Sequence, residues 1–449
     1  MYFYQFNFIL LFIVSYFIYT LLNNPKHRKY YLIVISLLYY SYITGYFVFA
    51  LISVLLLNYF FIYLKTIKIN KKLVLNIAFI SNLICFLMLK EFRFFSIYNI
   101  SKELIYAVGV SYYILQSLSA VIDVHESEVE KPSFVDFTLY VTFYPQLILG
   151  PIIRLKKFIL QLETLQPRLA ENYKQIFTRI LIAFIQKNVL AANLFVIVSP
   201  IYRSNFDYSS TTIIVAHCLS YLALYLELSS YISIVISISQ AYGIIVPESY
   251  NSPLFAKNIA ERWSRWNMTY TYWVRDYLFW PLMRFFNTKW NINKKTTALG
   301  LYLVFLFTGF WHKLELQFFV WANYHFIGFV IYILWKEFSR VKLHNYLAVF
   351  LTYLYFSFSV IIYKFSPNDY IEILIKTFLN FNGVQSFELI EYIYIVSIVL
   401  ICVAYKIFNF QNYIIKSNWI KSSFIFAILI HIIILFSPAE VTVYEYFKY

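Results

Sequence analysis

Phe47-Val-Phe-Ala-Leu-Ile-Ser-Val-Leu-Leu-Leu-Asn-Tyr-Phe-Phe-Ile-Tyr-Leu64 carries no charge and no helix breaker. An α-helix of about 20 apolar residues crosses the hydrocarbon core of a bilayer. The stretch therefore reads as a transmembrane helix, and comparable runs recur along the chain. They lie at 6–22, 30–45, 73–89, 104–122, 137–153, 178–199, 211–240, 270–286, 297–311, 316–335, 345–363, 390–408 and 421–437. Several are short or charged and read as re-entrant or interfacial. The expected fold class is all-α, a polytopic transmembrane helical bundle of about eleven spans with short re-entrant and interfacial helices. No soluble domain fits between the runs, so one integral-membrane domain is expected over 1–449. It divides into N-terminal spans 1–100, a core 101–335 and C-terminal spans 336–449.

Composition agrees. The chain is 61% hydrophobic and only 13% charged, whereas a soluble domain is about a quarter charged. That much apolar surface needs lipid to cover it. The 44 Tyr and 47 Phe follow the codon bias of an AT-rich genome and say little about function. The net charge of +15 suits loops that face anionic lipid. Nucleic-acid binding is excluded because the cations are scattered through short loops and form no single face. Cys85, Cys218 and Cys402 lie far apart in apolar runs, without metal-ligand spacing, and read as small buried hydrophobes.

Loop charge gives an orientation. Lys26, Arg28 and Lys29 precede one apolar hairpin, and Lys65, Lys68, Lys71 and Lys72 follow it. Both loops are then cytoplasmic and the N-terminus lies outside. The run 6–22 has no small-residue cleavage site after it and reads as the first transmembrane helix. The segment from Arg154 to Lys174 reads as a basic amphipathic stretch on the cytoplasmic surface.

Polar residues inside apolar runs are costly and mark candidate sites. Gln116, Ser119 and Asp123 share one helical face, and Pro145, Gln146, Gly150 and Pro151 follow in the next run. This set reads either as an interhelical hydrogen-bond seam with a kink or as the lining of a cavity. Glu227, among apolar neighbours, is either a structural ion pair or a functional carboxyl. A third cluster runs from Glu261 through Trp263, Arg265, Trp266, Asn267, Trp273, Arg275, Asp276 and Tyr277, and resumes at Gly309-Phe-Trp-His312. Its plain reading is an interfacial belt whose Arg and Asp pair with each other. Asn267-Met-Thr269 and Asn99-Ile-Ser101 fit the glycosylation pattern, which a bacterial membrane setting discounts.

Together these clusters resemble the membrane-bound O-acyltransferase family. Val108 to Val124 is similar to that family's early signature, and Asp136 to Arg154 to its Phe-Pro-Gln and Gly-Pro stretch. Tyr242-Gly243 through Pro247-Glu248, Asn251 and Pro253 to Tyr277 resembles its central block. Gly309-Phe-Trp-His312 with Trp321 and His325 resembles its histidine block. The resemblance covers roughly 100–335 and makes 101–335 the acyltransferase core. It implies one essential histidine deep in the membrane, here His312. A second polar position, histidine in many bacterial glycan acyltransferases, is Asn267 here. The Trp-Asn-Met setting and the loss of glycine after Trp-His are seen in members that use long-chain acyl-CoA. Glu227 stands where bacterial relatives often have aspartate, and Ser230 replaces a glycine.

The chemistry so implied is acyl transfer from a thioester to a hydroxyl. A hydroxyl needs a general base, and imidazole suits that task near neutral pH. His312, set among Phe307, Phe310 and Trp311, is the expected base. Asn267 would orient the reactants or stabilise the oxyanion. Trp263, Arg265, Trp266, Arg275 and Asp276 are the expected donor-binding residues, with Gln116, Gln146, Glu227 and Trp311 lining the substrate sites. His325 is 13 residues beyond His312, about 20 Å away if the helix is continuous, and reads as structural or as a support behind the reacting residues. No metal and no tightly bound cofactor are expected. The donor is acyl-CoA, most simply acetyl-CoA, or an acyl carrier protein. The acceptor is a hydroxyl of an exported envelope polysaccharide such as peptidoglycan, and the location is a bacterial inner membrane. Membrane lipid and a separate extracytoplasmic transferase are the other expected partners. D-alanyl transfer, or lipid or protein acylation, keeps the family and changes the cargo. A secondary transporter is the alternative of another class.

Overall fold

Polar caps set where several helices begin. In the computed structural model, Asn24 accepts from the Lys26 N–H ahead of Pro25, and Asn70 accepts from Lys72 and Leu73. Asn293 and Thr296 close a reciprocal capping box. The structure describes residues 3–67, 69–91, 109–203, 208–290, 292–381, 383, 387, 389–408 and 410–438. Lys68, the Asn99-Ile-Ser101 pattern, Val108 and the start of the 104–122 run lie outside the described residues.

The helices are α1 (Phe6–Leu21), α2 (Pro25–Thr44), α3 (Phe47–Leu64), α4 (Lys71–Phe86), α5 (Val110–His125), α6 (Phe134–Thr142) and α7 (Tyr144–Leu147). Then come α8 (Leu155–Leu162), α9 (Leu169–Phe184), α10 (Ala192–Arg203), α11 (Ser210–Ala241), α12 (Ile259–Arg265), α13 (Met268–Val274) and α14 (Trp280–Trp290). The last are α15 (Lys294–His312), α16 (Leu316–Phe338), α17 (Asn345–Lys364), α18 (Pro367–Leu379), α19 (Leu389–Phe408), α20 (Phe410–Lys416) and α21 (Trp419–Phe436). Among the described residues there is no strand, and the chain is a polytopic helical membrane protein. Seven stretches are long and apolar enough to cross a membrane: Phe47–Leu64, Lys71–Lys90, Leu169–Tyr202, Ser210–Ala241, Leu316–Phe338, Asn345–Lys364 and Trp419–Phe436. Asn7–Leu21 and Glu391–Ala404 are shorter apolar helices.

The residues group into two compact units. The first comprises Met1–Ile176 and Ile234–Glu248, and the second Phe177–Ser233 and Ser249–Tyr449. In the first, a buried tyrosine network ties α1 to the 234–248 segment. Tyr19 donates to the Tyr242 carbonyl at 2.7 Å, and the Tyr242 hydroxyl meets Ser15 at 2.7 Å and Tyr144 at 3.2 Å. Asn58 and Asn82 exchange side-chain amide hydrogen bonds between α3 and α4, at 3.0 and 2.9 Å. The 137–153 run is not one helix. It forms α6, α7 and an irregular stretch, because Pro145 can only start a helix there and Gly150 lies on top of Gln146. Helix α8 buries Leu155, Phe158 and Leu162 and exposes Lys156 and Lys157, the amphipathic pattern expected of that segment.

In the second unit, the 270–286 run divides into α13, a π-type turn at Arg275–Phe279, and α14. A second π-type turn, Ile185–Ala191, follows α9. Helices α15 and α16 form an antiparallel hairpin over Lys313–Glu315. Their facing pairs are Phe310 with Phe319, and Phe305 with Phe326 and Phe329. Gly309 permits this approach: a Cβ there would lie 2.5 Å from the Phe318 carbonyl oxygen. All three cysteines are unpaired and half-buried rather than fully buried, because each sits on a helix flank.

Candidate active site

The site is built in the second unit around the end of α15. His312 is its last residue, and Lys313 turns the backbone to an extended conformation (φ −167°, ψ 148°). The chain then reverses, so His325 does not lie one long helix away. His312 and His325 instead flank the same indole: Trp321 is 5.5 Å from the first ring and 4.3 Å from the second. The runs read at 297–311 and 316–335 are two helices, and the turn between them at Lys313–Glu315, which holds an ion pair of 2.6 Å, removes the continuous helix by which the two histidines would lie far apart.

His312 is half-buried. Its ring is walled by Trp311, Phe318, Trp321 and Tyr363 at 4.9 to 5.9 Å. Phe307 and Phe310, expected beside it, project elsewhere, towards Trp273 and Phe319. The Tyr363 hydroxyl lies 3.4 Å from His312 Nδ1. A nucleophile-activating base is commonly held by such a third group. Sequence reasoning missed Tyr363, because nothing in its own segment marks it.

Asn267 is the N-cap of α13 and is one of the few non-glycine residues with a left-handed backbone (φ 40°, ψ 52°). Asparagine tolerates that region better than most residues. The turn is pinned on both sides: Met268 N–H donates to Ser249 and Asn251 N–H to Arg265. Three residues on, the Tyr270 ring packs 4.3 Å from Trp311 and its hydroxyl donates to Thr308. One turn further, Trp273 stacks on Phe307. Helices α13 and α15 are thus antiparallel, with Asn267 at the start of one and His312 at the end of the other. The 520 Å³ apolar cavity of this unit is elsewhere, lined by residues such as Val189, Tyr225, Leu254 and Cys402.

The charged members of the central block are mostly paired. Arg265 donates to Glu261 at 2.5 Å. Arg275 donates to Asp276 at 2.8 Å, lies over the Tyr272 ring, and is held above its ordinary pKa chiefly by that hydrogen bond. Both pairs are partly exposed, where such contacts are worth little. Glu227 is fully buried and accepts from Lys187 at 2.6 Å, so the ion-pair alternative is the one realised. Trp266 packs against Tyr221, Tyr225 and Tyr250.

Arg262 was not singled out from the sequence, yet it is the unusual cation of the block. Its guanidinium carbon lies 4.1 Å from the Trp266 ring centre and 4.0 Å from that of Phe356, and its Nε donates to Tyr221. Burial pushes its pKa down, and Tyr221 opposes this. Among the described residues no carboxylate pairs with it. Stacking of this kind offsets about 2 kcal/mol, against a desolvation cost of several kcal/mol per buried ion. Beside it, the Trp263 Nε1 and both ring nitrogens of His325 are buried without a hydrogen-bond partner among the described residues. His217, equally buried, has Tyr202 and Thr377 on its two nitrogens.

In the first unit, Gln116 and Gln146 both donate to the carbonyl of Tyr140, at 2.6 and 3.1 Å. This is the interhelical seam that their spacing allowed.

The probable alginate O-acetylase of Pseudomonas putida is 29% identical over 220 residues, 49% of this chain and 44% of that protein. The peptidoglycan O-acetyltransferase of Helicobacter pylori is 24% identical over 415 residues, 81% of this chain and 76% of that protein. The teichoic acid D-alanyltransferase of Bacillus subtilis is 24% identical over 285 residues, 59% of this chain and 70% of that protein. The chain thus spans under half the length of the alginate relatives that it matches. Residues 8–342 match the model described as MBOAT, membrane-bound O-acyltransferase family. With its apolar spans and its His312 block, the chain belongs to the membrane-bound O-acyltransferase family.

Proposed function

We propose that this protein transfers an acyl group, most simply acetyl, from a cytoplasmic thioester donor to a hydroxyl of an exported envelope polymer. Acyl-CoA or an acyl carrier protein is the donor, and the bacterial cytoplasmic membrane is the site of action. The observation that carries the reading is the placing of His312 at the end of α15, ring-walled by aromatics, with a tyrosine hydroxyl on Nδ1. With Nδ1–H donating to Tyr363, Nε2 takes the proton of the hydroxyl as its oxygen attacks the thioester carbonyl; the C–S bond then breaks and the departing thiolate takes that proton from Nε2, restoring the neutral imidazole. Asn267 would donate its side-chain amide to the thioester carbonyl as negative charge builds on oxygen. Family membership and the likeness to proteins named for peptidoglycan and alginate O-acetylation support the acceptor class. Likeness to a teichoic acid D-alanyltransferase favours D-alanyl transfer as the second reading. A separate extracytoplasmic transferase could then finish the reaction on the polymer.

The test is transfer of label from acetyl-CoA, or from a D-alanyl carrier, to candidate glycans by purified protein. His312→Ala is expected to lower turnover by about 10²- to 10⁴-fold while keeping the fold. Undiminished turnover in that variant removes His312 as the base. A transporter would bind and move its solute without His312.

A further inference from the structure

We infer that Arg262, with the Trp263 indole N–H and the His325 imidazole, forms a buried site for an anionic group, phosphate or carboxylate, on one of the reaction's partners. The inference rests on the acyl-transfer reading only for the identity of that partner. Of the three arginines between Glu261 and Asp276, Arg265 and Arg275 already have carboxylates. Arg262, 6% exposed, has only the Tyr221 hydroxyl and the faces of Trp266 and Phe356. Aromatic faces offset part of the desolvation of a cation, and a charged partner supplies the rest.

A second observation points to a ligand at the same place. The His325 ring, 1% exposed, lies 5.2 Å from Trp263 and 5.2 Å from Phe356. The Arg262 guanidinium lies 5.3 Å from the same Trp263 and 4.0 Å from the same Phe356. Arg262 and His325 therefore share two aromatic neighbours, and the indole of one of them carries a buried N–H. The indole N–H and the imidazole nitrogens find no partner in the protein among the described residues. Guanidinium edges and ring N–H groups are donors that suit the oxygens of an oxyanion. Trp321 packs against both His325 and His312, so an anion held beside His325 would anchor a molecule reaching the proposed base. Phosphate would come from the thioester donor; carboxylate or phosphate could also come from the acceptor polymer.

The test uses the full chain in lipid nanodiscs. Its thermal midpoint is measured in inorganic phosphate, acetate or chloride at equal ionic strength. Wild type is expected to gain stability in phosphate or acetate over chloride, Arg262→Gln to lose that gain, and Trp263→Phe to show a smaller one. No anion-specific gain in wild type, or an equal gain in all three proteins, overturns the site. In steady-state kinetics, Arg262→Gln is expected to raise the KM of the anionic partner about 10- to 100-fold, and Arg262→Lys to recover part of the loss. A rise confined to the donor assigns the anion to the thioester. A rise confined to the acceptor assigns it to the polymer. Unchanged KM values for both overturn the inference. If Arg262→Gln fails to fold, Trp263→Phe and Arg262→Lys decide in the same way. Failure of wild type to move label from any thioester donor to any candidate glycan would count against the acyl-transfer reading and leave the anion-dependent stabilisation untouched.

Discussion

Asn267 carries two separable features: the side-chain amide proposed to bind the oxyanion, and a left-handed backbone. Two substitutions separate these. Glycine accepts the conformation without strain, so Asn267→Gly should keep its thermal midpoint and lose turnover about 10²- to 10³-fold, the usual cost of one oxyanion donor. Alanine is strained there, so Asn267→Ala should also lose about 1–2 kcal/mol of stability. Full turnover in the glycine variant would mean that the amide has no chemical role. Tyr363→Phe removes only the hydroxyl beside His312 Nδ1. Its kcat should fall about tenfold, the worth of one hydrogen bond to a group that becomes charged, with KM unchanged; an equal change in both would mark Tyr363 as a packing residue. At this scale the sequence was informative where a residue type is rare in its setting, as for His312 and Glu227. It was silent where the residue is common: a tyrosine among 44 gives no signal. Arg262 was hidden by its neighbours, because Arg beside Trp is also the composition of an interfacial belt.

The long spans were legible as elements because an uncharged apolar run of bilayer length has few other uses. The runs read at 47–64, 316–335 and 345–363 appear as Phe47–Leu64, Leu316–Phe338 and Asn345–Lys364. Breaks were legible where proline marks them, as between α6 and α7. The turn between α15 and α16 was legible as the charged gap between the runs 297–311 and 316–335, although Lys313-Leu-Glu315 contains neither glycine nor proline; that its reversal brings His325 back beside the indole next to His312 was not. The glycine that matters lies before the turn. Gly309→Ala would put a methyl 2.5 Å from the Phe318 carbonyl and 3.1 Å from the Ala322 side chain. Forcing α15 and α16 apart should cost about 1–3 kcal/mol and displace His312. The expected result is a lower thermal midpoint together with reduced acyl transfer; a fully active alanine variant would show that the close approach is dispensable. Partners adjacent in sequence, such as Arg275 and Asp276, could be foreseen. The partner of Glu227, far back in the chain, could not.

For the molecule as a whole, composition and hydropathy were enough to indicate a membrane protein, while the assembly of its polar interior was not readable from them. The buried pair of Lys187 and Glu227 illustrates this. Removing one charge strands the other in an apolar surround, so Lys187→Met or Glu227→Leu should each cost about 3–5 kcal/mol. The double variant should recover most of that loss, and thermal unfolding in nanodiscs would read the coupling. Losses in the double variant equal to the sum of the singles would mean that the pair is not coupled. The pair also constrains biogenesis. The ammonium is synthesised 40 residues before its carboxylate, which at ribosomal speed is a delay of about 2–8 s. During that interval the lysine lacks this carboxylate, and an aqueous boundary is the cheaper place for its charge. Burial of the segment that carries it is therefore favoured once α11 has emerged, which couples the insertion of the two helices.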